Sequence, residues 1–377
     1  MRIESLLAAG AMLGVLSVTG HAADPFTMAE PDTDARMRVC DVFGEGFFYI
    51  PGTETCLRIS GEVYYQIGAT SDNGAGDTPG YFGFARDGWN KTTKATINLD
   101  ARSATEWGVL QGFIALESEW GEPVDGPVVA NQAWLSLGGL RMGYSESAWA
   151  DSIHDLAVTG SHSNGGLWYG DQNRHFIQYN FTAANGLFAT LSLENDDHSG
   201  EPGGRGYVPD VVVLAGVRRD WGGVWARLGY DESWGDPDIA VRRNGLGVSA
   251  GLHLDMPNHE GSSFRLIGFY ANGDHAYGTG SSYGGVTDFV GNARWSALGS
   301  YHHQFTPAFG ASLSAQYFSD FYEGGTSLRT GLDGYSGELA LVWTPVENFE
   351  IRGEAIYDKI DTLDPTTSGY LRFTRFF

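Results

Sequence analysis

The sequence has only two cysteines in 377 residues, Cys40 and Cys56. A disulfide scaffold for a chain of this length is thereby excluded; two thiols so close together can only pin one segment. Cations are scarce too, 23 Lys and Arg against 46 Asp and Glu, for a net charge of −23. That sign excludes a nucleic-acid-binding surface. After the first twenty-two residues there is no apolar run near the ~20 residues that a membrane helix needs, which excludes a helical membrane protein. The H-E-x-x-H zinc helix and the EF-hand loop are missing. A serine-hydrolase elbow, G-x-S-x-G on a strand-turn-helix corner, is not expected. His302 and His303 are adjacent on a strand, point to opposite faces and cannot simply share a metal. No cofactor is expected, and the chain is not read as an enzyme.

What is present points to export. The opening stretch has Arg2 (offset by Glu4), an apolar core from Leu6 to Val18, and small residues at Gly20 and Ala22. Residues 1–22 therefore read as a secretory signal peptide. In an oxidising compartment Cys40 and Cys56 should pair, closing a loop of about 15 residues that the chain-entropy model values at ~3 kcal/mol. The alternative is two buried free thiols. Residues 23–56 read as an N-terminal periplasmic segment ahead of the folded domain, 57–377.

Glycine is abundant, 54 residues, aromatics make up 13% and charged residues only 18%. Mean hydropathy is −0.21. This leaves a secreted all-β protein or an outer-membrane β-barrel. From Leu57 the alternation is plain: Leu57, Ile59, Val63, Tyr65 and Ile67 lie on one face, Arg58, Ser60, Glu62, Tyr64 and Gln66 on the other. The period of two recurs in about sixteen segments of roughly ten residues, from 57–67 to 369–377. Gaps alternate between tight turns, such as Gly138-Gly139, and long polar stretches. Short turns on one side and long loops on the other is the layout of an all-β transmembrane antiparallel β-barrel, with about sixteen strands, long extracellular loops and short periplasmic turns. The apolar face of each strand then meets lipid. The charged face meets water, which predicts a wide, wet lumen. Glu117 and Glu119, two apart on one strand face, read as wall charges and not as a catalytic pair. Trp120, Trp134, Trp221, Trp295 and Trp343 read as interfacial girdle residues.

The stretch CDVFGEGFFYIPGTETCLRISGEVYYQ at 40–66 resembles the N-terminal signature of the alphaproteobacterial general porins. AWLSLGGLRMGYSESAWAD at 133–151, NGLFATLSLEND at 185–196 and the closing LRFTRFF are similar to other parts of that family's pattern. The resemblance implies a homotrimer of sixteen-stranded barrels in the bacterial outer membrane, surrounded by lipid and lipopolysaccharide. Each barrel would be a water-filled passive channel for small hydrophilic solutes and ions. It also implies a third loop, here about 149–173, folded inward as a constriction. One departure is Arg375, which the alternation places on the lipid side; near the periplasmic end it could snorkel to the headgroups.

An acidic loop facing a basic wall would create a transverse field that orients dipolar solutes. The acidic candidates on the loop are Asp151, Asp155 and Asp171; the basic candidates on the wall are Arg58, Lys94, Arg102, Arg141 and Arg227. The overall acidity predicts a modest cation preference. Two other readings stay open: a substrate-specific outer-membrane channel, and an outer-membrane barrel enzyme.

Overall fold

The computed structural model describes residues 38–71, 88–121, 124–152, 158–164, 167, 169–195, 208–234, 243–280 and 290–377. The expected signal peptide and Asp155 lie outside them.

Alternating sequence becomes antiparallel ladder. The strands, in chain order, are β1 (Cys56–Thr70), β2 (Asn90–Thr105), β3 (Gly108–Gly121), β4 (Val129–Leu137), β5 (Leu140–Glu146) and β6 (Asn173–Thr182). Then come β7 (Leu187–Asn195), β8 (Asp210–Arg219), β9 (Gly222–Trp234), β10 (Arg243–Asp255) and β11 (Ser263–Ala271). The series ends with β12 (Ala293–Thr306), β13 (Phe309–Phe321), β14 (Gly334–Val346), β15 (Phe349–Ile360) and β16 (Thr366–Phe376). Each pairs with its chain neighbour, and β16 pairs with β1 from Ser368↔Thr70 to Phe376↔Glu62. The sixteen strands therefore form a closed ring with no free edge, which satisfies the backbone without water.

The side chains sort by face. Leu313 is 67% exposed, and Ile59, Val63, Leu191, Leu228, Leu266, Leu339 and Leu371 are also open to the outside. An apolar exterior that continues around the ring is far larger than a soluble protein leaves uncovered, and hydrocarbon is its natural solvent. Arg375 does stand on this outer face, opposite Val63, and its Nη1 donates to the carbonyls of Glu347 and Asn348 at 3.3 and 3.1 Å. The cation thus ends on the rim of a short turn.

Short turns occupy one end: 106–107, 138–139, 183–186, 220–221, 307–308 and 347–348. Gly138 adopts φ 58°, a conformation costly to any residue with a Cβ, in the two-residue β4–β5 hairpin. The long connections, including 147–172 and 272–292, leave the other end. Both ends of the barrel chain, Cys56 and Phe376, fall on the short-turn side. There Cys40 and Cys56 form a disulfide, which resolves the open choice about the thiols. With Phe47 they make a small buried cluster. Phe47 lies 4.8 Å from the Arg58 guanidinium and 5.1 Å from that of Arg102, so the disulfide loop rests against the inner wall.

Candidate functional site

The connection from β5 to β6 does not stay at the rim. Its stem is tied to one side of the ring: Ser147 Oγ and the Ala148 N–H donate to Glu194 on β7 at 2.6 and 2.9 Å. Arg227 on β9 donates to the Asp151 carbonyl at 2.6 Å. Its far part is tied to the other side. Ser161 Oγ donates to Glu338 on β14 at 2.7 Å, and the Asn164 N–H donates to Glu354 on β15 at 2.7 Å. His162 Nδ1 lies 2.6 Å from Ser300 Oγ on β12, and Nε2 lies 2.7 Å from Ser263 Oγ on β11. β7 and β15 are half a ring apart. A segment bonded to the inner faces of both spans the bore.

What holds it there is largely apolar. Trp149 and Leu167 join inward-facing Phe188, Val212, Leu214 and Trp225 in a buried cluster. Tyr277, from the β11–β12 connection, joins them, with its ring 5.9 Å from that of Trp149 and its hydroxyl donating to Asp210 at 3.0 Å. A Cβ on Gly229 or Gly247, paired on β9 and β10, would stand 2.5 Å or less from Tyr277 atoms. Bare backbone makes room for that ring. Burial raises the Tyr277 pKa well above that of an ordinary phenol, so it stays a donor. His162 is pushed down to about 2, first by burial and then by the Arg265 guanidinium, so its anchor is a neutral imidazole.

This apolar cluster adds a packed side to the wide, wet lumen that the alternation predicts. The arc from β7 to β12 carries a core under the spanning segment. The signal was present in DVVVLAG at 210–216, which is apolar on both faces.

The opposite arc carries charge. Arg58 and Arg102 share Asp100 at 3.2 and 2.7 Å, and Lys94 meets Glu117 at 2.8 Å. Arg141 meets the Asp151 carboxylate at 2.9 Å, an ion pair between a sequence-chosen loop acid and wall base. Asp171 is exposed beside Glu146 and lines a cavity of ≈ 350 Å³ with Gln132 and Asn173. Arg227 faces inward as read but is 2% exposed beneath Asp151. It braces the segment and does not line open space. Sequence reading also missed Glu194, Glu338, Glu354 and His162, whose roles depend on partners far away in the chain.

Trp134 needs correcting as well. It pairs with Phe113 on the inner face, stacks on it at 5.1 Å, and carries Arg141 over its ring at 4.3 Å. The other four girdle tryptophans, Trp120, Trp221, Trp295 and Trp343, are open to the outside. The bare G-x-S-x-G spacing does occur, at Gly247–Gly251 and again at Gly280–Gly284, the second largely outside the described residues. The first lies mid-strand, with Ser249 paired to Arg227 and Phe269 and buried, so it forms no elbow. Among the described residues no group of three or more His, Cys, Asp or Glu is arranged to hold a metal.

A closed barrel with a lipid-facing exterior, a polar arc inside and a segment crossing the bore defines a membrane channel. Residues 24–370 match the model of the family described as the porin subfamily, and the chain belongs to it. Porin Omp2b of Brucella suis is 34% identical over 263 residues, covering 62% of this chain and 68% of that one. Porin Omp2b of Brucella melitensis is 33% identical over the same length. Among solved structures, the outer membrane channel DcaP of Acinetobacter baumannii superposes with a TM-score of 0.68 at 14% identity, over 87% of this chain and 99% of that one. The trimer form of OmpT of Vibrio cholerae gives 0.55 at 8% identity, over 86% and 100%. The protein is an outer-membrane passive diffusion channel, not an enzyme.

Proposed function

We propose that the segment 147–172 is the constriction of this channel. The supporting observation is its pair of anchorages half a ring apart, on Glu194 at one end and on Glu338 and Glu354 at the other. With part of the β7–β12 arc packed by the apolar cluster, solutes pass mainly along the arc from β15 through β16 and β1 to β5. Asp151 and Asp171 stand on the segment's side, and Arg58, Lys94, Arg102 and Arg141 on the wall. Their field orients dipolar solutes and disfavours apolar ones, which cannot replace the ordered water they displace. Small hydrophilic solutes and ions are the cargo. The excess of carboxylates gives a modest cation preference.

The assembly is a homotrimer, set in lipid and lipopolysaccharide, with the loops outward and the disulfide-bonded segment 23–56 in the periplasm after removal of 1–22. Planar-bilayer recording of the purified trimer tests this reading. It predicts ohmic steps without saturation and a cation-selective reversal potential in a KCl gradient. Saturating, solute-blocked current favours a substrate-specific channel instead, and an anion-selective sign contradicts the preference.

A further inference from the structure

The cations along the open arc are mostly neutralised in place. Arg58 and Arg102 share Asp100, Lys94 holds Glu117, and Arg352 lies between Glu350 and Glu354 at 2.7 and 3.1 Å. Arg372 on β16 is different. Its Nε donates to Gln66 at 2.7 Å, and its guanidinium lies 4.1 Å from the Tyr64 ring centroid and 4.9 Å from that of Tyr370. No carboxylate lies within ion-pair distance of it among the described residues.

Its position is informative. Arg372 pairs with Gln66 on one side and Arg352 on the other, all facing inward. Two residues away Tyr370 pairs with Glu354, the carboxylate that receives the Asn164 N–H. Arg372 therefore sits beside the level at which the spanning segment reaches the wall. Both tyrosines are buried, so their rings support the guanidinium and offer no free face to a solute. Nε is occupied by Gln66, while the Nη edge has no acceptor among the described residues. A planar fork with free N–H groups matches a carboxylate in two-point geometry better than a spherical anion. Because its stem is already fixed, little conformational entropy remains to be lost on contact.

We propose that Arg372, held by Gln66, Tyr64 and Tyr370, is a docking point for solute carboxylates at the narrow level of the bore. It raises the passage of small organic carboxylates relative to neutral solutes of the same size. This rests on the reading of 147–172 as the constriction. It coexists with a cation preference, since one local cation acts at one level of an acid-rich passage.

Gluconate and sorbitol, a carboxylate and a neutral polyol of equal length, form the test pair. Their influx is measured in liposomes carrying the full native trimer, Arg372→Gln or Arg372→Lys. Arg372→Gln should lower the gluconate-to-sorbitol ratio about threefold, the scale of a half-exposed charge contact, and leave sorbitol unchanged. Arg372→Lys, which keeps the charge and loses the fork, should fall between. An unchanged ratio overturns the proposal, and so does an equal fall for both solutes, which marks a wall residue that only shapes the passage. If Arg372→Gln does not assemble, gluconate block of wild-type KCl current decides: concentration-dependent flicker supports docking, and its absence overturns it. A wild-type protein that admits neither solute refutes the channel reading itself, which is a separable outcome.

Discussion

The two arcs of the inner wall are built on opposite rules. From β7 to β12 the inward residues include Phe188, Val212, Leu214 and Trp225, and they are covered by Trp149, Leu167 and Tyr277. From β1 to β5 they include Arg58, Lys94, Arg102, Glu117 and Arg141, each tied to an opposite charge and only partly buried, with Asp100 buried between Arg58 and Arg102. The first arc behaves like the core of a soluble domain, where a missing atom leaves a hole. The second behaves like a surface, where a missing charge alters the field and little else. The contrast teaches that a segment can be fastened across a pore by apolar packing on one side while the other side stays open for traffic.

The contrast breaks most visibly at Trp149. Trp149→Ala should weaken attachment of the segment by about 3–5 kcal/mol, as large-to-small changes in a packed core do. Protease nicking within 147–172 and a larger single-channel conductance should report it, with the barrel ladders intact. The next largest effect belongs to the disulfide that braces Arg58 and Arg102 through Phe47. Cys40→Ser with Cys56→Ser should cost about 3 kcal/mol in thermal or denaturant unfolding.

Acid sharpens the comparison at a smaller scale. His162 titrates near 2 in the fold, far below its ordinary value of 6.5, because burial and Arg265, His302 and His253 disfavour the charged form. The fold thus favours neutral imidazole. Its contribution is complete above about pH 6.5 and is lost as pH falls toward the folded value. Current noise from a loosening tip should rise below pH 6.5 and be weaker in His162→Asn, whose amide does not titrate. Noise that rose with alkali would contradict the assignment. The smallest effect on stability is expected at the wet wall. Lys94→Gln should change stability by under about 1 kcal/mol, as half-exposed pairs do, yet move the KCl reversal potential further toward cations.

Much of the fold was legible because lipid and water impose a period of two that no tertiary contact needs to override. Leu57 through Ile67 could be assigned to faces from sequence alone, and so could the closing strand, Arg375 included. The turn at Gly138-Gly139 announces itself by composition. Trp134 was misjudged on residue type alone: its strand places it on one face with Gln132 and Ser136, opposite Ala133 and Leu135, so the period of two already turned it inward. The anchors were least legible. Glu194, Glu338 and Glu354 stand on strands, and nothing in their local spacing says that Ala148, Ser161 and Asn164 bond to them across the bore. Arg227 shows the limit in another form, since a strand-face cation looks the same in sequence whether it meets water or lies under a loop.

Polymer-exclusion sizing of single channels tests the crossing segment most directly. The wild-type trimer is compared with Trp149→Ala/His162→Ala, which removes the core contact and the tip anchor together while leaving every strand ladder in place. The account predicts that larger polymers enter the double variant and that its conductance rises. An unchanged polymer cut-off in a correctly assembled double variant would show that the segment does not set the width of the passage.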